Sequence, residues 1–124
     1  MKKVVATTNA PAAIGPYSQG IVANGFVYTA GQLPVDPATG EMPEDIAKQT
    51  EITLKNVAAV LEAAGSSLDK AVKITVFVKD INDFDKINEV YKTFFKDKPP
   101  VRSLIQAARL PRDVGIEIEC VALA

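Results

Sequence analysis

The sequence predicts an α+β domain with segments in the order βββ-α-β-α-ββ and both helices on one face of the sheet. An Asn24-Gly25 pair joins two short apolar runs, the strongest short signal for a hairpin, because both residues tolerate the positive φ of a type I′ turn. Two longer segments carry apolar residues at helical spacing. Residues 72–79 and 114–121 instead alternate apolar and polar positions, as half-buried strands do.

Residues 2–7 are short and contain two valines, consistent with a first strand. Residues 10–16 hold two prolines and a glycine, which favour a loop over a ladder or a helix. Residues 17–23 and 26–30 flank the hairpin turn, and residues 31–40 return to loop chemistry with Pro34, Asp36, Pro37 and Gly40. A helix follows, with Pro43 near its first turn and Glu44 and Asp45 suited to its N-terminal dipole. Ile46, Thr50, Leu54, Val57, Leu61 and Ala64 form its inner stripe, and Gly65 is its stop. Val72, Ile74, Val76 and Val78 share one face of the next strand. The second helix begins near Asn82 and Asp83, places Phe84, Ile87, Tyr91 and Phe94 on its core stripe, and ends before Pro99-Pro100. Residues 101–107 and 114–121 read as two final strands joined as a hairpin.

The length of 124 residues suits one domain, 1–124, and a 48% hydrophobic fraction with 23% charged residues suits a globular chain. A core this small gains from subunit contacts, and one uncovered sheet face invites them. Net charge is −1 with acids and bases mixed, so the chain lacks the basic stripe of a nucleic-acid binder. No apolar run approaches the roughly 20 residues of a membrane span, and no charged n-region precedes an apolar run. The expectation is a cytoplasmic protein with neither nucleic-acid nor membrane partners.

The chain has one cysteine and no histidine. Ser–His and Cys–His nucleophiles, histidine proton shuttles and most zinc or iron sites are thereby excluded. Proton transfer near neutral pH falls to a carboxylate, a tyrosine, a lysine or water. In the last strand Glu117 and Glu119 share a face opposite Ile116, Ile118 and Cys120. Two such carboxylates repel one another unless a cation or solvent lies nearby. Arg102, on one face with Leu104 and Gln106, is the candidate cation, although the register is open at this point. On residue type alone, these charges read first as solvated groups or structural ion pairs. The functional alternative has Arg102 hold a substrate carboxylate while a glutamate activates water.

A set of motifs sharpens the choice. Residues 9–19 (NAPAAIGPYSQ), 30–34 (AGQLP), 76–80 with 82–84 (VFVKD, NDF), 88–91 (NEVY), 100–103 (PVRS), 108–111 (ARLP) and 116–119 (IEIE) resemble, in order and spacing, the signatures of the Rid (reactive intermediate deaminase) family. The resemblance runs over roughly residues 3 to 123. It implies a chorismate-mutase-like fold, with a mixed six-stranded sheet and two helices on one face. It also implies a homotrimer with a site in each inter-subunit cleft, and cofactor-free hydrolysis of 2-imino and enamine acids to 2-oxo acids and ammonia.

Carried onto this chain, the resemblance implies that Arg102 binds the substrate carboxylate. Glu117 positions the attacking water and moves protons, and Tyr17 orients substrate or water through its hydroxyl. Gly31 admits close backbone approach, Leu104 and Asn88 lie at the site, and no metal or cofactor is held. Glu119 is expected to be structural. Leu104 stands where many family members carry a cysteine, which makes that wall bulkier and more apolar. Cys120, facing away from Glu117, reads as core. The Phe84, Ile87, Tyr91, Phe94 stripe reads as packing, and Arg109, Arg112, Lys96 and Lys98 as surface charges. The alternative function is a non-enzymatic trimeric module that binds small molecules or partners; a ribonuclease is disfavoured by the charge balance.

Overall fold

A computed structural model describes residues 1–124. Six strands, β1 (Lys3–Val5), β2 (Gly20–Ala23), β3 (Phe26–Thr29), β4 (Ala71–Val78), β5 (Val101–Gln106) and β6 (Ile116–Leu123), form one sheet in the order β1-β2-β3-β6-β4-β5. Two helices, α1 (Ile46–Ala63) and α2 (Phe84–Phe94), complete the order βββ-α-β-α-ββ. Only the β4–β5 pair is parallel, so the sheet is mixed as expected.

Local chemistry explains the boundaries. Asn24 (φ 53°) and Gly25 (φ 81°) make the tight turn that pairs Ala23 with Phe26. Asp45 caps α1 by accepting the Lys48 amide at 3.0 Å, so Pro43 and Glu44 precede the helix rather than entering its first turn. At the other end Gly65 takes φ 82°, and the Gly65 and Ser66 amides close onto the Glu62 and Leu61 carbonyls at 2.9 Å each. A one-turn 3-10 segment, Ile81–Asp83, leads into α2.

Two expectations are corrected. A register shift between Ala71 and Lys73 turns Val72 outward, 41% exposed, so the inner face of β4 is Ile74, Val76 and Val78. More consequentially, β5 and β6 are not a hairpin. β4–α2–β5 is a crossover unit, and a helix crossover delivers its second strand parallel to the first. The segment 107–115, with its turn at Pro111–Asp113, then carries the chain past β4, and β6 inserts between β3 and β4.

Both helices lie on the same face. Leu54, Val57 and Leu61 of α1 and Ile87 and Tyr91 of α2 pack on Val27, Ile74, Val76, Ile116 and Ile118. Each fully buried Leu or Ile contributes about 2 kcal/mol of transfer free energy. The opposite face has no covering layer. Val4, Tyr28, Val101, Ile105 and Leu123 point from it and are 44–66% exposed.

Candidate active site

Alternation along β6 buries Ile116, Ile118 and Cys120 under the helices and turns Glu117 and Glu119 to the open face. Glu117 is half-buried there, beside Phe77 of β4 in register. Burial, and then repulsion from Glu119, pushes its carboxyl above the usual carboxylate range.

The loop after β3 is fastened across β6 at this point. Gln32 and Ile118 exchange backbone hydrogen bonds, Gln32 N–H to Ile118 O at 2.7 Å and Ile118 N–H to Gln32 O at 3.1 Å. Buried Asn56 of α1 secures the same loop by donating to the Leu33 and Val35 carbonyls at 3.0 and 2.9 Å. Gly31 is thereby laid against the Glu117 carboxylate. A Cβ at Gly31 would overlap Glu117 Oε2 and stand 2.8 Å from Cδ. Close approach, not an unusual φ, is what demands glycine here.

Tyr17 arrives from the N-terminal loop, which buried Gln19 gathers by donating to the Thr7 and Pro11 carbonyls at 3.0 and 2.7 Å and accepting the Thr7 amide at 2.7 Å. The Tyr17 hydroxyl accepts the Ile14 amide at 3.3 Å, and the residue is 52% exposed. Tyr17, Gly31, Leu33, Glu117 and Arg112 line one open cleft of about 640 Å³. A smaller hollow of about 280 Å³ shares Tyr17, Gly31, Leu33 and Arg112 and continues under the N-terminal loop.

Arg112 is exposed, as expected of a surface charge, and it also lines the cleft. Arg112 and Asp113 both take left-handed backbone angles, φ 57° and 56°, which cost about 1 kcal/mol or more for side chains with a Cβ. Asp113 is tied to Lys79 at 2.9 Å, and the turn brings Arg112 to the cleft wall. No periodicity marks such a residue, because a turn's φ sets its direction.

Arg102 lies elsewhere. On outer strand β5 it is level with Ile74, so Arg102 and Leu104 face the helix side, half-buried. Its Nη1 donates to Asn88 Oδ1 at 2.7 Å, and its Cζ stands 4.7 Å from the Tyr91 ring centre and 5.6 Å from that of Phe84. The helix stripe read as packing therefore splits. Ile87 and Phe94 serve the core alone, whereas buried Tyr91 and 38%-exposed Phe84 also face the guanidinium. The candidate residues thus fall into two separate groups in a single chain, with Tyr17, Gly31 and Glu117 together at the cleft on the open side and Arg102, Asn88 and Leu104 on the helix side.

Residues 7–124 match the Endoribonuclease L-PSP family model. The chain belongs to the L-PSP family. Among L-PSP relatives, it is 52% identical over 126 residues to the 2-iminobutanoate/2-iminopropanoate deaminase of Escherichia coli K12, covering 99% of this chain and 98% of that protein. The crystal structure of E. coli TdcF with bound serine is similar at 50% identity and a TM-score of 0.95, covering 98% of each chain. A Yersinia pestis protein described as a member of the Rid family is similar at 45% identity and a TM-score of 0.96 over the full length of both chains. No helix is long and apolar enough to cross a membrane.

Proposed function

We propose that this protein hydrolyses small 2-imino acids and their enamine tautomers to 2-oxo acids and ammonia, each site being built by two copies of the chain in a homotrimer. The observation that carries the reading is the Glu117 carboxylate, held against Gly31 in an open cleft beside Tyr17, with a proton affinity raised by burial. High identity to a protein named as a deaminase for these imines supports the chemistry, and the serine-bound relative supports a ligand of amino-acid size.

The substrate carboxylate pairs with Arg102, whose planar fork suits two-point recognition. The protonated C=N carbon is already electrophilic, so the reaction needs neither a covalent nucleophile nor a cofactor. Water adds to C2 while Glu117 takes its proton, giving a carbinolamine. Glu117 returns the proton to nitrogen, the C–N bond breaks as the hydroxyl gives its proton back to the Glu117 carboxylate and becomes the 2-oxo group, and the departing ammonia takes that proton away as ammonium. For an enamine, protonation at C3 precedes hydration, and a carboxyl with raised proton affinity suits that step. Tyr17 orients water through its hydroxyl, and Leu104 presents an apolar wall to the substrate side chain. Fixing the acid beside an ordered water supplies much of the rate through proximity.

Arg102 lies on the outermost strand and Glu117 on the uncovered face. Joining them requires the edge of one copy to meet the face of the next. Two unlike surfaces in contact propagate around a ring rather than closing a two-fold dimer, which favours a cyclic trimer. The whole chain, 1–124, acts as a single domain in that ring. Its place is the cytoplasm, because a short-lived charged imine must be hydrolysed in the compartment where it forms. A ribonuclease reading is disfavoured, because a net charge of −1 with acids and bases mixed offers phosphates no basic surface.

The test couples purified protein to a threonine or serine dehydratase and follows 2-oxo acid formation. Acceleration over the spontaneous rate, lost in Arg102→Ala, is expected. An unchanged rate would overturn the enzyme, and retention of bound 2-oxo acid without turnover would mark a binding module instead.

A further inference from the structure

The surroundings of Arg102 carry a second reading, which rests on the proposed function and concerns how the cation is presented. Phe84, Asn88 and Tyr91 are spaced four and three residues apart on α2, so one helix face supplies all three groups around the guanidinium. None is charged. The chain's three ion pairs, Lys55–Glu51, Lys79–Asp113 and Lys92–Glu89, leave Arg102 without a carboxylate. Glu89 neighbours Asn88 in sequence yet is turned outward to Lys92 at 3.0 Å.

A half-buried guanidinium with no acidic partner is an unusual expense for a small domain, since burial penalises charge. Here the cost is met by one neutral acceptor and two π faces. The guanidinium has five N–H donors, and Asn88 is its only protein acceptor, so an edge remains for a bidentate anion. A glutamate or aspartate in the place of Asn88 would hold the arginine as firmly but would neutralise it.

We propose that Phe84, Asn88 and Tyr91 form an uncharged cage on α2 that fixes the orientation of Arg102 while leaving its charge free for the substrate carboxylate. They are positioning residues and act through Arg102. The Tyr91 hydroxyl is buried without a hydrogen-bond partner, so the ring and not the hydroxyl does the positioning.

The experiment measures binding of 2-oxobutanoate by calorimetry, and KM and kcat for dehydratase-generated 2-iminobutanoate, on the full-length protein. Phe84→Leu and Tyr91→Leu should each weaken binding and raise KM by about tenfold, the scale of a desolvated cation–π contact, with kcat changed by less than about twofold. Tyr91→Phe should behave as wild type. Asn88→Asp, which preserves volume, should abolish 2-oxobutanoate binding while leaving the melting temperature equal or higher. Wild-type binding in both Leu variants, or in Asn88→Asp, with Arg102→Ala still inactive, would overturn the cage and leave the deaminase reading standing. Absence of binding and turnover in the wild type would instead overturn the deaminase reading and the cage with it.

Discussion

Arg102 and Glu117 lie on opposite faces of the same sheet, Arg102 level with Ile74 on the helix side and Glu117 level with Phe77 on the open side. Two groups so placed cannot both reach one small substrate within a single chain. Alone, Arg102→Ala should be inactive and Glu117→Gln should keep only about a hundredth of the wild-type rate. Co-refolded in equal amounts, they should recover about a quarter of wild-type activity, since half the copies offer an intact guanidinium and half an intact carboxylate. A site contained in one chain would recover none.

The raised proton affinity of Glu117 sets the pH response. As the base for water, it should impose an acid limb on kcat/KM at a pH above the ordinary glutamate value of about 4.3. Glu119→Gln removes the second of the two causes, so the limb should move toward acid but stay above that value, because burial is the larger cause. For stability, a carboxyl whose folded pKa is raised favours folding below its unfolded pKa and loses that contribution as pH rises through the folded pKa. Glu117→Gln should therefore melt at a higher temperature than wild type at pH 7 while turning over about 100-fold more slowly.

Gly31→Ala separates catalysis from carboxylate capture. The new methyl occupies the space of the Glu117 carboxylate, which must swing away. A displacement of the reacting group by about 1 Å can cost about 100-fold in rate. The kcat should fall on that scale while 2-oxobutanoate binding at Arg102 weakens little. Full activity in the alanine variant would show that the carboxylate need not lie where it does.

Cys120 should be chemically silent. It is 2% exposed, and burial pushes its thiol up to about 12, so no thiolate forms at working pH. Thiol reagents at pH 8 should label the native protein far more slowly than the protein in denaturant. Rapid native labelling would mean that β6 opens locally.

Much of this was legible in residue patterns because it depends on near neighbours. Asn24-Gly25 specifies its turn, the stripe through Thr50, Leu54, Val57 and Leu61 specifies the inner face of α1, and alternation in residues 116–120 separates Glu117 from Cys120. The ordered motifs pointed to the family to which the chain belongs. What the patterns could not convey is which strands meet. Period-two alternation states that a strand has two faces but not its neighbour, so nothing in residues 101–121 distinguishes a final hairpin from the insertion of β6 between β3 and β4.

The amino-acid sequence by itself determined the element order, the inner face of α1, the two faces of β6 and the absence of histidine chemistry. Tertiary structure alone decided that Arg102 and Glu117 part company across the sheet, that Arg112 reaches the cleft, and that Phe84 and Tyr91 attend the arginine. Local preferences act over a few bonds, whereas these placements depend on long-range strand pairing and on a turn whose direction is set by φ.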